Sequence, residues 1–341
     1  MRAQEAALQV RRRAGLFELP ARGVLSVQGS DRTRWLNGML TNDVARLEPG
    51  PRASGCYAAL LTPQGRIVAD LHVLLRPEEL WLELPQAEIA PVRERLAQLI
   101  IADDVKLLDR SREIGRLGLE GPEAFALMIE LLAAADRDRV AALAPEACVE
   151  ARVAGVDVLL CAFGWTGERA LQVFVPGDAA ARAGVRDALR DAGLRHGLVL
   201  GDDEVLEILR VEAGLPKLHA ELSLEVLPPE VRLERAISYT KGCYTGQEII
   251  ARIRSRGQVA HLLVGIAAET EGTPRHGDVV EVSGEAVGEV TSAVRSPTAG
   301  PIALAFVRRA QAEPGTRVRI GGNPGRVVAL PFVSAAPVGA S

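Results

Sequence analysis

An α+β fold that ends in a small antiparallel β-barrel is what this sequence predicts, and three observations carry the prediction. Up to about residue 256, strand and helix signals mix without the regular alternation of a doubly wound sheet. From residue 258 onward, short apolar runs recur at close spacing between Gly and Pro turns, with no convincing helix among them. The 341 residues also exceed one comfortable core, given a prior of about 150 residues per domain. The resulting division is an α+β region over 1–256, a barrel over 257–334 and a frayed tail of small residues over 335–341.

Composition narrows the class. A hydrophobic content of 48% beside 25% charged residues excludes disorder, while 33 Gly and 20 Pro fit a loop-rich molecule with many strand turns. A net charge of -4 gives no global signal for nucleic acid or a membrane surface, so any anion site has to be local. No apolar run approaches the length of a membrane span. Arg11, Arg12 and Arg13 lead into a mixed segment rather than a signal-peptide core, which predicts a soluble, cytoplasmic protein.

Taken in order, residues 1–15 read as a basic helix serving as a peripheral arm. Residues 23–27 read as a strand, and Ser30 or Asp31 is placed to cap a helix through Trp35, Leu36 and Leu40. Runs at 56–61 and 66–75 flank Thr62-Pro63-Gln64-Gly65, a hairpin signal. In the second run Ile67, Ala69, Leu71, Val73 and Leu75 share one face, and Arg66, Asp70 and His72 the other. An amphipathic helix over 88–100, strands at 103–109 and 114–120, and a helix from Pro122 to about Ala135 follow. Strands near 153–162 and 168–175 flank Gly164-Trp165-Thr166-Gly167. Helices at 178–192 and 203–213 come next, the latter stopped by Gly214 and Pro216. Barrel strands are expected at 259–267, 278–282, 286–294, 302–307, 317–320 and 326–330.

The densest chemistry lies in Lys241-Gly242-Cys243-Tyr244-Thr245-Gly246-Gln247-Glu248. Thr245 and Glu248 have the spacing of a capping box, which predicts a helix starting just after Thr245. Cys243 would then precede a helix N-terminus, where the macrodipole and the Lys241 charge favour a thiolate. The alternative for Cys243 is a small buried hydrophobe. Cys56, Cys148 and Cys161 lie in apolar strand contexts and read as core. The four cysteines have neither metal-ligand nor disulfide-framework spacing, so no metal site is expected. Between Lys241 and His261, Lys241, Arg252, Arg254 and Arg256 stand against Glu248, a local balance of 4 − 1 = +3. That is either a solvated helix face or a local anion patch.

These residues resemble a known family. The octapeptide looks like the signature of the folate-binding YgfZ group, bacterial relatives of a mitochondrial iron–sulfur assembly factor. The wider chain, from about Gly15 to Phe332, resembles the aminomethyltransferase (glycine-cleavage T-protein) superfamily. That likeness rests on Gly29-Ser30-Asp31 with Asn42-Asp43-Val44, the hairpin at 65–71, and Trp165-Thr166-Gly167-Glu168. Leu209-Arg210-Val211-Glu212-Ala213-Gly214-Leu215 and Gly288-Glu289-Val290-Thr291-Ser292 complete the series in the family's order.

The resemblance implies two α+β lobes and a C-terminal antiparallel barrel around a central channel that holds tetrahydrofolate. Asp70 matches the aspartate that lies near the reactive end of the folate; a carboxylate there orients the ligand or stabilises a cationic iminium. From its residues alone, Asp70 reads first as a carboxylate on the exposed face of a hairpin, bonded to Arg66 or solvent; the resemblance turns that reading toward a cleft position. Trp165, Glu168, Gln172, Arg210 and Glu212 are implied to shape the pterin site. The chain departs from the T-protein pattern at Arg66, at Ala69 and at Gln172, where a glutamate is usual. These departures bear on aminomethyl transfer more than on folate binding.

The function implied is folate-dependent support of iron–sulfur cluster assembly or repair, and through it of tRNA modification. Cys243 would act as a redox-active or transient thiol, and iron–sulfur client or assembly proteins would be partners. Because one cysteine cannot hold a cluster alone, any cluster contact would be shared. The alternative is a folate-dependent aminomethyl or one-carbon transferase that needs Asp70 but not Cys243. Suitable guests for Arg252, Arg254 and Arg256 are a folate polyglutamate tail or, through weak contact, tRNA phosphates.

Overall fold

Along residues 2–335, which the computed structural model describes, α1 (Ala3–Arg12) leads through β1 (Gly15–Glu18) and β2 (Arg22–Gln28) to α2 (Arg32–Met39). β3 (Gly55–Leu61), β4 (Ile67–Leu75), β5 (Glu79–Pro85), α3 (Ile89–Ala97) and β6 (Lys106–Asp109) follow. Next come β7 (Ile114–Glu120), α4 (Ala124–Leu131), α5 (Ala134–Ala141), β8 (Cys148–Val153), β9 (Val156–Cys161), β10 (Ala170–Pro176), α6 (Ala179–Leu194), β11 (Val199–Gly201) and α7 (Asp203–Glu212). α8 (Gln247–Arg256) precedes β12 (His261–Ala268), β13 (Val279–Val282), β14 (Glu285–Ser296), β15 (Gly300–Arg308), β16 (Arg317–Ile320) and β17 (Asn323–Val328). The expected tail, from residue 336 on, lies outside the described residues.

The architecture is α+β with a closed barrel. One five-stranded sheet has the order β3-β4-β5-β2-β6, a six-stranded sheet has the order β11-β1-β7-β10-β9-β8, and β12-β15-β14-β13-β16-β17 close the barrel. β1 and β2 are consecutive in sequence yet belong to different sheets, so the chain crosses between lobes within its first 30 residues. Among the described residues no helix is long and apolar enough to cross a membrane.

Several elements differ from the sequence reading. The N-terminal helix is not a peripheral arm: Ala6, Ala7 and Val10 are buried against Val205, Ile208 and Leu209 of α7. Only three of its ten residues are apolar and buried, too few to mark the face from composition. The stretch after Pro122 is two short helices, because the backbone is extended at Leu132 and Ala133. Residues 148–161 form a hairpin across Ala154 and Gly155, both at positive φ. β5 went unread, since its run Leu80-Trp81-Leu82-Glu83-Leu84 carries a charge where a core strand should be apolar.

The β3–β4 hairpin does have the expected inward face, with Ile67, Ala69, Leu71 and Val73 fully buried. Its polar face is covered as well, because the second sheet packs over it. His72 stacks on Phe163 at 3.7 Å, and Arg116 of β7 donates to Glu83 of β5 at 2.7 Å. The two lobes therefore meet through a layer of charged and aromatic side chains.

The barrel docks on α7 through polar groups. Arg210 Nη2 donates to Ser292 Oγ at 2.7 Å, and Thr291 and Ser292 donate to Glu221 at 2.7 and 2.6 Å. Ser296 Oγ donates to Glu212 Oε1. Parts of two stretches that carried the superfamily resemblance are thus the two sides of one lobe–barrel joint.

Candidate functional site

Strand register assembles the site. Tyr57 on β3 lies directly opposite His72, and Asp70 opposite Ala59, so Tyr57 and Asp70 are diagonal neighbours on one face. The Tyr57 hydroxyl donates to Asp70 Oδ2 at 2.8 Å. Burial, and then the Asp70 charge, push the Tyr57 phenol well above its ordinary value, so it remains the donor in this pair. Asp70 is half-buried. It does not bond Arg66, whose guanidinium turns to the Glu225 carbonyl and lies 3.8 Å from Glu230.

Two guanidinium groups flank this pair. Arg235 lies over the Tyr57 ring at 4.6 Å, and Arg22 over the Trp165 ring at 4.8 Å. Burial opposes the Arg22 charge, but Glu83 outweighs it, with Asp70 and Tyr57 adding to the effect, so its pKa is held above the usual value. Arg22 Nε and Nη2 fork onto Glu83 at 2.6 and 2.7 Å. Phe163 meets Trp165 edge-on at 5.7 Å and stacks on His72, extending an aromatic wall from Tyr57 to Trp165.

Gln172 is fully buried beside Glu120. Its Nε2 donates to Glu120 Oε1 at 2.9 Å and to the Phe163 carbonyl at 3.1 Å, leaving Oε1 a buried acceptor without a partner among the described residues. Burial pushes the Glu120 carboxyl up to about 7, offset in part by donation from Thr166 Oγ1, the Trp165 N–H and Gln172. The native state thus holds this proton more tightly than the unfolded chain, whose ordinary value is 4.5. The group's contribution is full below the unfolded value and is lost as pH rises through about 7. Over that window the loss should be about 3 kcal/mol at most. Urea midpoints at about pH 5 and about pH 8 for wild type and Glu120→Gln test this. The variant should lose the slope; an unchanged slope would refute the assignment.

The remaining predicted ligands are engaged elsewhere. Glu168 and Glu212 share Arg11, which reaches them at 2.7 and 2.9 Å and also donates to the Thr166 and Leu209 carbonyls. Arg210 is buried with Glu207 and Glu221 at the barrel joint. Arg22 therefore lies over Trp165 within the field of the Asp70 charge, Gln172 joins the Trp165 turn through Glu120, and Arg210 and Glu212 brace the lobes. The reading from sequence missed Tyr57, Arg22, Glu83, Glu120 and Arg235. A charged residue inside the apolar run of β5 was the one signal for the cluster.

Lys241, Tyr244 and Gly246 of the octapeptide serve the architecture. Lys241 is buried and its ammonium donates to the Asn37, Leu40 and Asn42 carbonyls, closing the C-terminal end of α2. Burial lowers its pKa to about 8. It turns inward, so the expected support of a Cys243 thiolate is not its role; the cysteine within its field is Cys56, whose thiol burial pushes up to about 12. Cys243 itself is exposed, and Cys148 and Cys161 are buried. Tyr244 is buried; Gln247 and the exposed Glu248 open α8.

The capping box does not form. The helix begins at Gln247 with Gly246 as its cap, without a side-chain cap bond, because Gly246 adopts φ +84 where the box needs an extended residue. A Cβ on Gly246 would lie 2.7 Å from the Thr62 carbonyl oxygen and 3.1 Å from Gly65 Cα. Gly246→Ala should therefore cost about 2–4 kcal/mol in urea denaturation, through the strained φ and a forced backbone shift. A loss below about 0.5 kcal/mol, the range of ordinary surface changes, would contradict this contact.

Arg252 and Arg254 do not make one patch. Arg252 lines a cleft with Arg66 and Glu230, whereas Arg254 lies over Tyr239 at 3.9 Å, as residues two apart on a helix must diverge. The side chain of Arg256 lies outside what the structure describes. Among the described residues no His, Cys, Asp and Glu group could hold a metal ion.

Comparison with known proteins bears on the whole chain. Residues 2–241 match the GCVT N-terminal domain family, and residues 262–334 the glycine cleavage T-protein C-terminal barrel domain. An aminomethyltransferase of Streptomyces coelicolor is 34% identical, with 96% of this chain and 89% of that one aligned. Those of Streptomyces avermitilis and Bacillus subtilis are 35% and 32% identical, covering 95% and 91% of this chain and 88% and 84% of theirs. The crystal structure of glycine cleavage system aminomethyltransferase T from Bartonella henselae superposes with a TM-score of 0.80 over 98% of this chain and 90% of that one, at 22% identity, a likeness of fold. These similarities overturn the expected membership of the YgfZ group and, with it, the iron–sulfur assembly and tRNA-modification function. An octapeptide occupied with closing α2 and seating α8 on the hairpin is consistent with that correction.

Proposed function

Because the chain belongs to the glycine cleavage T-protein family, we propose that it is a folate-dependent transferase that moves an aminomethyl or one-carbon group onto tetrahydrofolate. The observation that carries the reading is the Asp70–Tyr57 pair, a half-buried carboxylate oriented by a phenol and set against a wall of aromatic rings and two guanidinium groups.

The donor and acceptor chemistry fits a reduced pterin. That ligand is rich in N–H donors, and the chain offers it the half-buried Asp70 carboxylate; Gln172 Oε1 is a second acceptor, closed off from the surface and without a partner among the described residues. The fully buried Gln172 therefore keeps an acceptor where the family's glutamate would supply one, its amide orientation fixed by Glu120 and the Phe163 carbonyl. The folate supplies the nitrogen that receives the carbon. Asp70 holds that end and stabilises positive charge as it develops; Tyr57 fixes the carboxylate's orientation. Trp165, under Arg22, gives a flat face, while Glu168, Arg210 and Glu212 hold the surrounding elements in register.

Partners on this reading are folate and other proteins of the glycine cleavage system. Isothermal titration calorimetry with tetrahydrofolate and its polyglutamate forms tests it, together with transfer from an aminomethyl donor. Saturable binding with product formation is expected; absence of binding by every form would overturn the proposal.

A further inference from the structure

Glu146 stands in the loop between α5 and β8 with a left-handed backbone, φ 68, a conformation that a non-glycine residue keeps only where its surroundings over-determine it. Those surroundings come from both lobes. Its N–H donates to the Ala162 carbonyl at 2.9 Å, just past the end of β9 in the six-stranded sheet. Its own carbonyl oxygen lies against Gly55 of β3, so close that a Cβ on that glycine would be 2.2 Å away. The carboxylate reaches a third strand, with Oε2 at 2.6 Å from His72 Nδ1 on β4.

Burial pushes the Glu146 carboxyl up, but the His72 imidazole, by its charge and by this bond, outweighs burial with help from Arg235 and holds the pKa below the ordinary 4.5. The carboxylate is therefore the acceptor, and Nδ1 carries the proton. Anchored in this way, the His72 ring has two aromatic neighbours. Phe163 stacks on it at 3.7 Å with 13° between the planes, and Tyr57, directly opposite on β3, meets it at 4.9 Å. The Tyr57 hydroxyl in turn donates to Asp70 Oδ2 at 2.8 Å. One line of contacts thus runs from the strained loop through His72 and Tyr57 to the carboxylate assigned to the folate.

We propose that Glu146 is a positioning residue for group transfer: acting through His72, it sets the angle of the Tyr57 ring and so the line along which the phenol holds the Asp70 carboxylate. The inference rests on the transferase reading and adds to it a residue that works at one remove from the reacting atoms. Because Glu146 acts through that phenol, its removal costs no more than loss of the phenol itself.

Steady-state transfer to tetrahydrofolate by the full chain tests it, with Glu146→Ala, Glu146→Gln, Tyr57→Phe and the Glu146→Ala, Tyr57→Phe pair. Glu146→Ala should lower kcat by about five- to tenfold and leave KM within about twofold, since the interaction lost is one made in the transition state. Glu146→Gln, which keeps an acceptor for Nδ1–H, should recover kcat to within about threefold of wild type. In the Tyr57→Phe background Glu146→Ala should have no further effect on kcat, whereas a residue that merely held the loop would add its own loss to that of Tyr57→Phe. If Glu146→Ala fails to fold, His72→Phe decides in its place, because it removes the same hydrogen bond from the other side and keeps a ring. An undiminished kcat in the folded variant, or additive losses in the pair, would overturn the proposal and leave the transferase reading intact. Absence of transfer by the wild-type chain would overturn both.

Discussion

Glu83→Gln is expected to lower the stability of the protein by about 3–5 kcal/mol, read from the urea midpoint, since it leaves a buried ionic cluster without its anion. Glu83 is completely buried and accepts three N–H groups from Arg22 and Arg116 at 2.6–2.7 Å. Burial alone would raise its pKa. The two guanidinium groups win and hold it at about 2, while burial pulls the Arg116 pKa below its usual value despite Glu83.

The sign of the pH dependence follows. Because the folded pKa is depressed below the ordinary 4.5, the cluster's contribution is present above that value and fades as pH falls toward about 2. Glutamine keeps the shape but cannot balance two cations, so the variant should also lose the ordered Arg22 over Trp165. A loss below about 1 kcal/mol would show that the cluster is solvated and that the lobes are held by apolar contacts instead.

Asp70→Asn should reduce kcat/KM for group transfer to tetrahydrofolate by about 10²–10³-fold, the usual cost of removing one preorganised electrostatic partner of a transition state. Asparagine is nearly isosteric and still accepts from Tyr57, so the urea midpoint should be unchanged. Tyr57→Phe, which frees the carboxylate without removing it, should cost about tenfold, close to one hydrogen bond. Steady-state kinetics of the purified variants decides. A decrease under about threefold for Asp70→Asn would remove Asp70 from the reaction and shift attention to Gln172 and Glu120.

How much was legible depended on how local each feature is. The β3–β4 hairpin and all six barrel strands could be read because alternation and turn residues lie within a few positions of one another. Asp70 could be placed on the polar face of its strand by counting alone. What lay opposite that face could not, and the expectation of solvent failed because a second sheet covers it. The same limit explains the N-terminal helix. Arg11 looked like one of three surface cations, yet it is the residue that ties Glu168 to Glu212.

The octapeptide shows the reverse error. A capping-box spacing, a cysteine and a lysine in eight residues suggested chemistry, but Gly246 needs its positive φ to approach the hairpin turn, and Lys241 spends its donors on three carbonyls. Motif spacing records which residues are adjacent, not which way they turn.

By itself the sequence determined the α+β region, the barrel that follows it and the amphipathic strand bearing Asp70, since periodicity, turn residues and breakers act over a few positions. Only the tertiary structure decided that Arg22, Glu83, Arg116, Tyr57 and Arg235 gather around that strand. The reason is physical. Charges from β2, β5 and β7 become a single buried cluster only when two sheets close over them, and the balance of desolvation and pairing that fixes their roles does not exist until they do.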